Sequence, residues 1–135
     1  MPDNSWFDFL NFVARSADQS LCLAIVDTNL EYSFPDFVTI RSAKLSDFSD
    51  THAIIDFLIT AVAAEAWVKI VVDIPLNQHV DNCIIDIVEH HWLKKSDQPP
   101  IKILPTTKII FFVDQSRPDL LSSHLLTKAS LVFRG

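Results

Sequence analysis

Three stretches of this chain are almost solidly apolar and each stops at an aspartate: Leu21–Val26 before Asp27, Val68–Val72 before Asp73, and Lys108–Val113 before Asp114. A strand with one wet face alternates apolar and polar side chains, whereas a strand covered on both faces reads as an unbroken apolar run. The runs therefore predict central strands of a parallel sheet, and parallel strands need long crossover connections, usually helices. The intervening segments supply them. Asn4–Ala17 carries Trp6, Phe7, Leu10, Val13, Ala14 and Ala17 at helical spacing behind the capping types Asp3 and Asn4. A second helix, capped at Ser46 or Ser49, presents Ile54, Ile55, Leu58, Ile59, Val62 and Ala63, and a third, capped at Asn77, presents Val80, Ile84, Ile87 and Val88. Short strands at Phe37–Arg41 and Leu131–Arg134, a surface turn at Ser96–Pro100 and a short helix from Pro118 complete the alternation. The pattern predicts an α/β three-layer sandwich with a mostly parallel sheet, in a single domain over residues 1–135.

Composition narrows what such a sandwich can do. With 49% hydrophobic and 21% charged residues, the chain has the apolar surface that a disordered segment lacks. Its one glycine is Gly135, so the glycine-rich loops whose backbone N–H groups approach nucleotide phosphates are excluded. A net charge of −6, from 11 basic against 17 acidic residues, disfavours autonomous DNA or RNA binding, which depends on Lys and Arg against phosphates. Cys22 and Cys83 lie in apolar runs and read as free, buried thiols of a reducing compartment. The opening Met1–Asn4 lacks the basic region of a signal peptide and no apolar run approaches the ~18 residues of a membrane span, which leads to the expectation of a soluble, intracellular protein.

Candidate sites follow from the same pattern. Ligands of open α/β sheets bind at the carboxyl ends of the strands. Asp27, Asp73 and Asp114 are either a row of carboxylates for a metal or a nucleotide's magnesium, or caps of the turns that follow the strands. His52, His79, His90, His91 and His124 contain no i, i+4 pair, so no metal site is expected from them. Trp6, Phe7, Phe9 and Phe12 crowd nearly every side of one short helix, although a surface helix keeps a polar face. They belong either to the chain's own core or to a partner-facing aromatic patch.

The ordered set of Leu21–Val26 with Asp27-Thr28-Asn29, then Val68–Val72 with Asp73, then Lys108–Val113 with Asp114-Gln115, resembles the core of the RecA-type recombinases and their eukaryotic paralogues. The closing Leu126–Gly135 is similar to that family's late small-residue pair and apolar strand. The resemblance implies a truncated RecA-like domain in which Asp73 takes the magnesium-supporting Walker B position, with Asp27 and Gln115 as vestigial groups or contributors to a neighbour's site. It also makes the Trp6–Ala17 helix the one that follows the phosphate loop, with the strand and loop before it lost, which leaves either a gap in the sheet or a sheet closed up in a new order. The family's catalytic glutamate is replaced by Asn29, an amide that cannot act as a general base, with Glu31 two residues on. The implied function is a non-catalytic, cofactor-free accessory subunit in the nucleus. It would pair as a heterodimer with a recombinase paralogue carrying a working P-loop and help remodel or stabilise recombinase filaments on single-stranded DNA in homologous recombination and DNA repair, without binding DNA appreciably itself. Other readings are a RecA-like subunit of an Elongator-type tRNA-modifying assembly, an enzyme binding a small ligand through Asp27, Asp73 and Asp114, and an acidic inhibitor or immunity protein.

Overall fold

Along the chain run α1 (Asn4–Arg15), β1 (Leu21–Val26), β2 (Ile40–Lys44), α2 (Thr51–Ala63), β3 (Trp67–Val72), α3 (Gln78–His90), β4 (Trp92–Leu93), β5 (Ile101–Lys102), β6 (Ile109–Asp114), α4 (Ser123–Lys128) and β7 (Leu131–Arg134), with a 3-10 turn over Leu45–Asp47. The computed structural model describes residues 4–16, 21–26, 32–94, 97–104, 106–114, 116–117, 119–129 and 131–135. The three apolar runs are β1, β3 and β6, and they form the middle of a five-stranded, all-parallel sheet in the order β2–β3–β6–β1–β7. The edge strands are shorter and carry Arg41, Lys44 and Arg134, charges that discourage further pairing.

The direction of the connections decides which face each helix covers. The steps from β2 to β3, β3 to β6 and β6 to β7 all move the same way across the sheet, and right-handed crossovers then place their helices on one face. Accordingly Leu58 of α2, Ile84 of α3 and Leu125 of α4 share one core with Leu21, Leu23, Ile70, Phe111 and Val113. Only the connection from β1 back to β2 runs the other way, and it lays Tyr32, Phe34 and Val38 on the opposite face. There α1 supplies Trp6, Leu10 and Val13 against Cys22, Ala24, Val26, Ile110, Phe112 and Phe133. The three-layer α/β sandwich is thus built with three helices on one side and one on the other, among the described residues.

Several local expectations shift. The second strand lies at Ile40–Lys44 rather than Phe37–Arg41, because its register is set by pairing Ile40 with Trp67 through Lys44 with Val71, which leaves Phe37 in a turn and 65% exposed. Asp50, not Ser46 or Ser49, caps α2, its Oδ1 accepting from the Ala53 N–H at 2.9 Å. Asn77 does cap α3, accepting from Val80 N–H at 2.9 Å, and the helix ends at His91 in the left-handed conformation. The last helix starts at Ser123 behind a Ser122 cap, and Pro118 lies outside the described residues. The antiparallel β4–β5 pair, two residues a side, is too short to leave a periodic pattern in sequence.

Two larger questions that the sequence left open are decided. The sheet has no gap: β1 sits between β6 and β7, and α1 precedes it in the chain while covering the face that the β1-to-β2 return leaves open. The aromatic patch is also largely internal. Trp6 is fully buried and its Nε1 donates to the Ser33 carbonyl at 2.7 Å. Its ring lies 4.7 Å from Tyr32, 5.4 Å from Phe133, 5.6 Å from Phe34 and Phe112, and 5.7 Å from Phe9. Phe9 packs on Phe133 as well, Phe7 is half-buried, and only Phe12 stands in solvent, at 56% exposure. One helix doing the work that three do opposite needs bulk, and aromatic rings supply the most area per residue.

Candidate functional site

Adjacent strands whose outgoing connections pass to opposite faces leave a crevice at their carboxyl ends. Here that point falls between β1, whose connection returns over the α1 face, and β6, whose chain continues to α4 on the other face. Beside that point, over the carboxyl ends of β3 and β6, a cleft of about 400 Å3 opens, with Val26, Val71, Phe112 and Leu120 as its apolar part and Lys44, Lys69, Asp73, Asp114 and Arg117 as its charged part. Strand alternation explains the membership. Lys69, Val71 and Asp73 of the β3 end, Phe112 and Asp114 of β6, and Lys44 of β2, paired with Val71, all point to the α1 side of the sheet.

Of the three aspartates singled out in sequence, Asp27 lies outside the described residues, as does Gln115. The other two reach the same cleft, and both are engaged by serines. The Ser46 N–H donates to Asp73 Oδ1 at 3.0 Å and its hydroxyl donates to Oδ2, tying the turn after β2 to the end of β3. Burial works against ionisation of Asp73, but the hydroxyl and N–H of Ser46, its own backbone N–H and the nearby Lys44 cation outweigh it and hold the carboxyl below the usual carboxylate range. Asp114 Oδ1 accepts from the Ser116 hydroxyl at 2.7 Å and N–H at 2.9 Å, which closes a local turn and, helped by Arg117, holds that carboxyl low as well. Arg117 donates to the Asp73 carbonyl at 3.2 Å and so bridges the two strand ends.

Both carboxylates are therefore ionised at neutral pH, a state suited to capping and unsuited to donating a proton. Among the described residues no group of three or more His, Cys, Asp or Glu could hold a metal ion. His52 and His79 line a different groove, of about 590 Å3 between α2 and α3, with Cys83, whose thiol burial pushes up to about 11. Burial drives the Cys22 thiol further, to about 12, against the counter-pull of Lys108, so neither cysteine is an activated nucleophile. Among the described residues no helix is long and apolar enough to cross a membrane.

The charged residues that sequence reasoning passed over are the lysines inside apolar runs. The Lys69 ammonium sits 4.6 Å from the centroid of the Phe112 ring. Lys108 is almost wholly buried and its ammonium donates to the Ser16 carbonyl just past α1, fastening the helix to the sheet where the carboxyl end of its dipole favours a cation. A cation within an apolar strand, for Lys69, or at the head of one, for Lys108, was the available signal.

No protein-family model matches the chain, and no curated protein matches it. Two solved structures of NtrX from Brucella abortus are similar in fold. The one in complex with ADP superposes with a TM-score of 0.59 at 9% identity, covering 99% of this chain and 36% of NtrX. The one in complex with ATP gives 0.58 at 10% identity, covering 97% of this chain and again 36% of NtrX. The chain thus spans little more than a third of the length of these proteins. At such identity the likeness establishes the α/β sandwich with its parallel sheet.

Proposed function

We propose that this chain is a non-catalytic accessory subunit on a RecA-like sandwich, one that pairs with a recombinase paralogue carrying a working P-loop and helps remodel recombinase filaments on single-stranded DNA in the nucleus. The observation that carries the non-catalytic part is the state of the strand-end aspartates. Asp73, at the Walker B-like position, has both oxygens occupied by Ser46, and Asp114 is closed on Ser116. Within residues 1–134 there is no glycine, so no glycine-rich nest for phosphates forms in this stretch. The fold shared with structures of NtrX solved with ADP and ATP is compatible with a RecA-like sandwich. The pairing part rests on the resemblance of the ordered strands, and Phe12 is the ring of the aromatic helix left open to a partner.

Calorimetric titration of the purified chain with ATP and magnesium is expected to show no binding at micromolar concentrations. Affinity capture of the chain from its own cells, read by mass spectrometry, is expected to recover a P-loop-bearing recombinase paralogue, with recovery reduced by Phe12→Glu. Micromolar ATP binding would overturn the non-catalytic reading, and capture without any such paralogue would overturn the pairing.

A further inference from the structure

The cleft over the ends of β3 and β6 has a second property, independent of nucleotides and of the pairing proposed above. Its two carboxylates already accept hydrogen bonds from serines of neighbouring turns. Its cations are placed differently. No carboxylate among the described residues lies within salt-bridge distance of the Lys44 or Lys69 ammonium, and Lys69 lies against the ring of Phe112. Arg117, from the loop after β6, contributes a third cation beside its 3.8 Å pair with Asp119. Three basic groups thus converge on about 400 Å3 in a chain whose net charge is −6. Val71, Phe112 and Leu120 provide an apolar wall beside them. An apolar concavity with a few convergent polar groups is the usual form of a small-molecule site, and its place at the carboxyl ends of β3 and β6 is where open parallel sheets bind their ligands.

We propose that this cleft binds a small organic anion, a carboxylate or phosphate monoester on a compact apolar body, with the charge between Lys44 and Lys69 and the body against Val71 and Phe112. Hydrogen bonds between ionised partners are about twice as strong as neutral ones. Side-chain cations can supply them without the backbone nest that this sequence lacks.

The test is a nitrogen–proton NMR titration of the full chain with two probes, phenyl phosphate and benzoate, and with benzylamine as the cation of matching size. Saturable shifts centred on the amides of Val71, Phe112 and Arg117, with a Kd on the order of 1 mM or tighter for at least one anion and none for benzylamine, are expected. Stronger binding of phenyl phosphate assigns the phosphate form and stronger binding of benzoate the carboxylate form. Lys69→Met, which keeps the apolar stem, and the more exposed Lys44→Met are each expected to weaken binding about tenfold, whereas Lys94→Met, on the α2–α3 groove, should change nothing. Urea midpoints of the variants separate loss of a ligand contact from loss of fold. The proposal is overturned if neither anion saturates, if both lysine variants bind as the parent does, or if the shifts fall outside the cleft. Tight binding of ATP with magnesium in the same cell would instead overturn the non-catalytic reading, so the two fail separately.

Discussion

The two faces of the sheet are lined by alternate residues of the same strands, yet they are closed by different means. On one, α2, α3 and α4 bring aliphatic side chains onto Leu23, Ile70 and Phe111, and the layer is complete. On the other, α1 and the returning segment bring rings onto Ala24, Phe112 and Phe133, and the cover ends near β3, where Lys69 and Val71 are only partly buried beside the cleft. Cover follows the direction of the crossovers: three connections in one sense furnish three helices to one face, and the single return leaves the other to be filled by whatever precedes β1. The less covered face is the one with room for a ligand, and its stability depends on a few large residues.

The most direct way to break this comparison is Trp6→Ala, which removes the ring at the centre of the aromatic face and should cost about 4 kcal/mol in urea unfolding, against about 3 kcal/mol for Leu58→Ala on the aliphatic face. A cost for Trp6→Ala below that of Leu58→Ala would show that the aromatic layer is not a core on which the fold depends. Next in size, Phe9→Glu places a charge against Trp6 and Phe133 and should destabilise by roughly 2 kcal/mol, whereas Phe12→Glu, one turn on but exposed, should stay within about 0.5 kcal/mol. Equal effects from the two would mean that α1 is rotated from the orientation described here. Lys108→Met removes the donor to Ser16 and leaves a carbonyl without it at the carboxyl end of α1, for an expected loss of about 1 to 2 kcal/mol; hydrogen exchange in α1 should rise more than in α3.

The smallest effect lies at the strand ends and appears only in acid. Asp73 and Asp114 are held below the ordinary carboxylate value, so their contribution is complete above the unfolded-state pKa near 4 and is lost as pH falls through their lower folded values. Stability of the parent should therefore decline below about pH 4, and the double variant Asp73→Asn, Asp114→Asn should decline less steeply there. Superimposable pH profiles would mean that the serine contacts do not persist in solution.

Much of the fold was readable because burial on two faces leaves a strong mark. Leu21–Val26 and Leu131–Arg134 coincide with β1 and β7, Val68–Val72 misses only the first residue of β3, and Lys108–Val113 is shifted from β6 by one residue. The Asn77 cap was legible from residue type and position. The cap of α2 was not, since Ser46, Ser49 and Asp50 all suit the role; Ser46 is drawn away by Asp73, 27 residues later in the chain. At the candidate site, Asp73 and Asp114 were legible as strand-end carboxylates, but whether they face a ligand or close a turn depends on Ser46 and Ser116. Lys69 was hidden by the same apolar run that revealed β3, and Lys44 lay past the end of the predicted second strand, Phe37–Arg41.

Sequence alone determined the class of the molecule: unbroken apolar runs separated by helical periods leave only a parallel sheet under helices, and with Gly135 as their one glycine residues 1–135 hold no glycine-rich loop. Tertiary structure decided the rest, for reasons that no local pattern contains. Strand order places β1 between β6 and β7 and so closes the sheet where the resemblance allowed a gap. The sense of each crossover then decides which face α1 must cover, and this turns Trp6 and Phe9 inward, leaves Phe12 outside, and brings Lys44, Lys69 and Arg117 from three separate parts of the chain to one cleft.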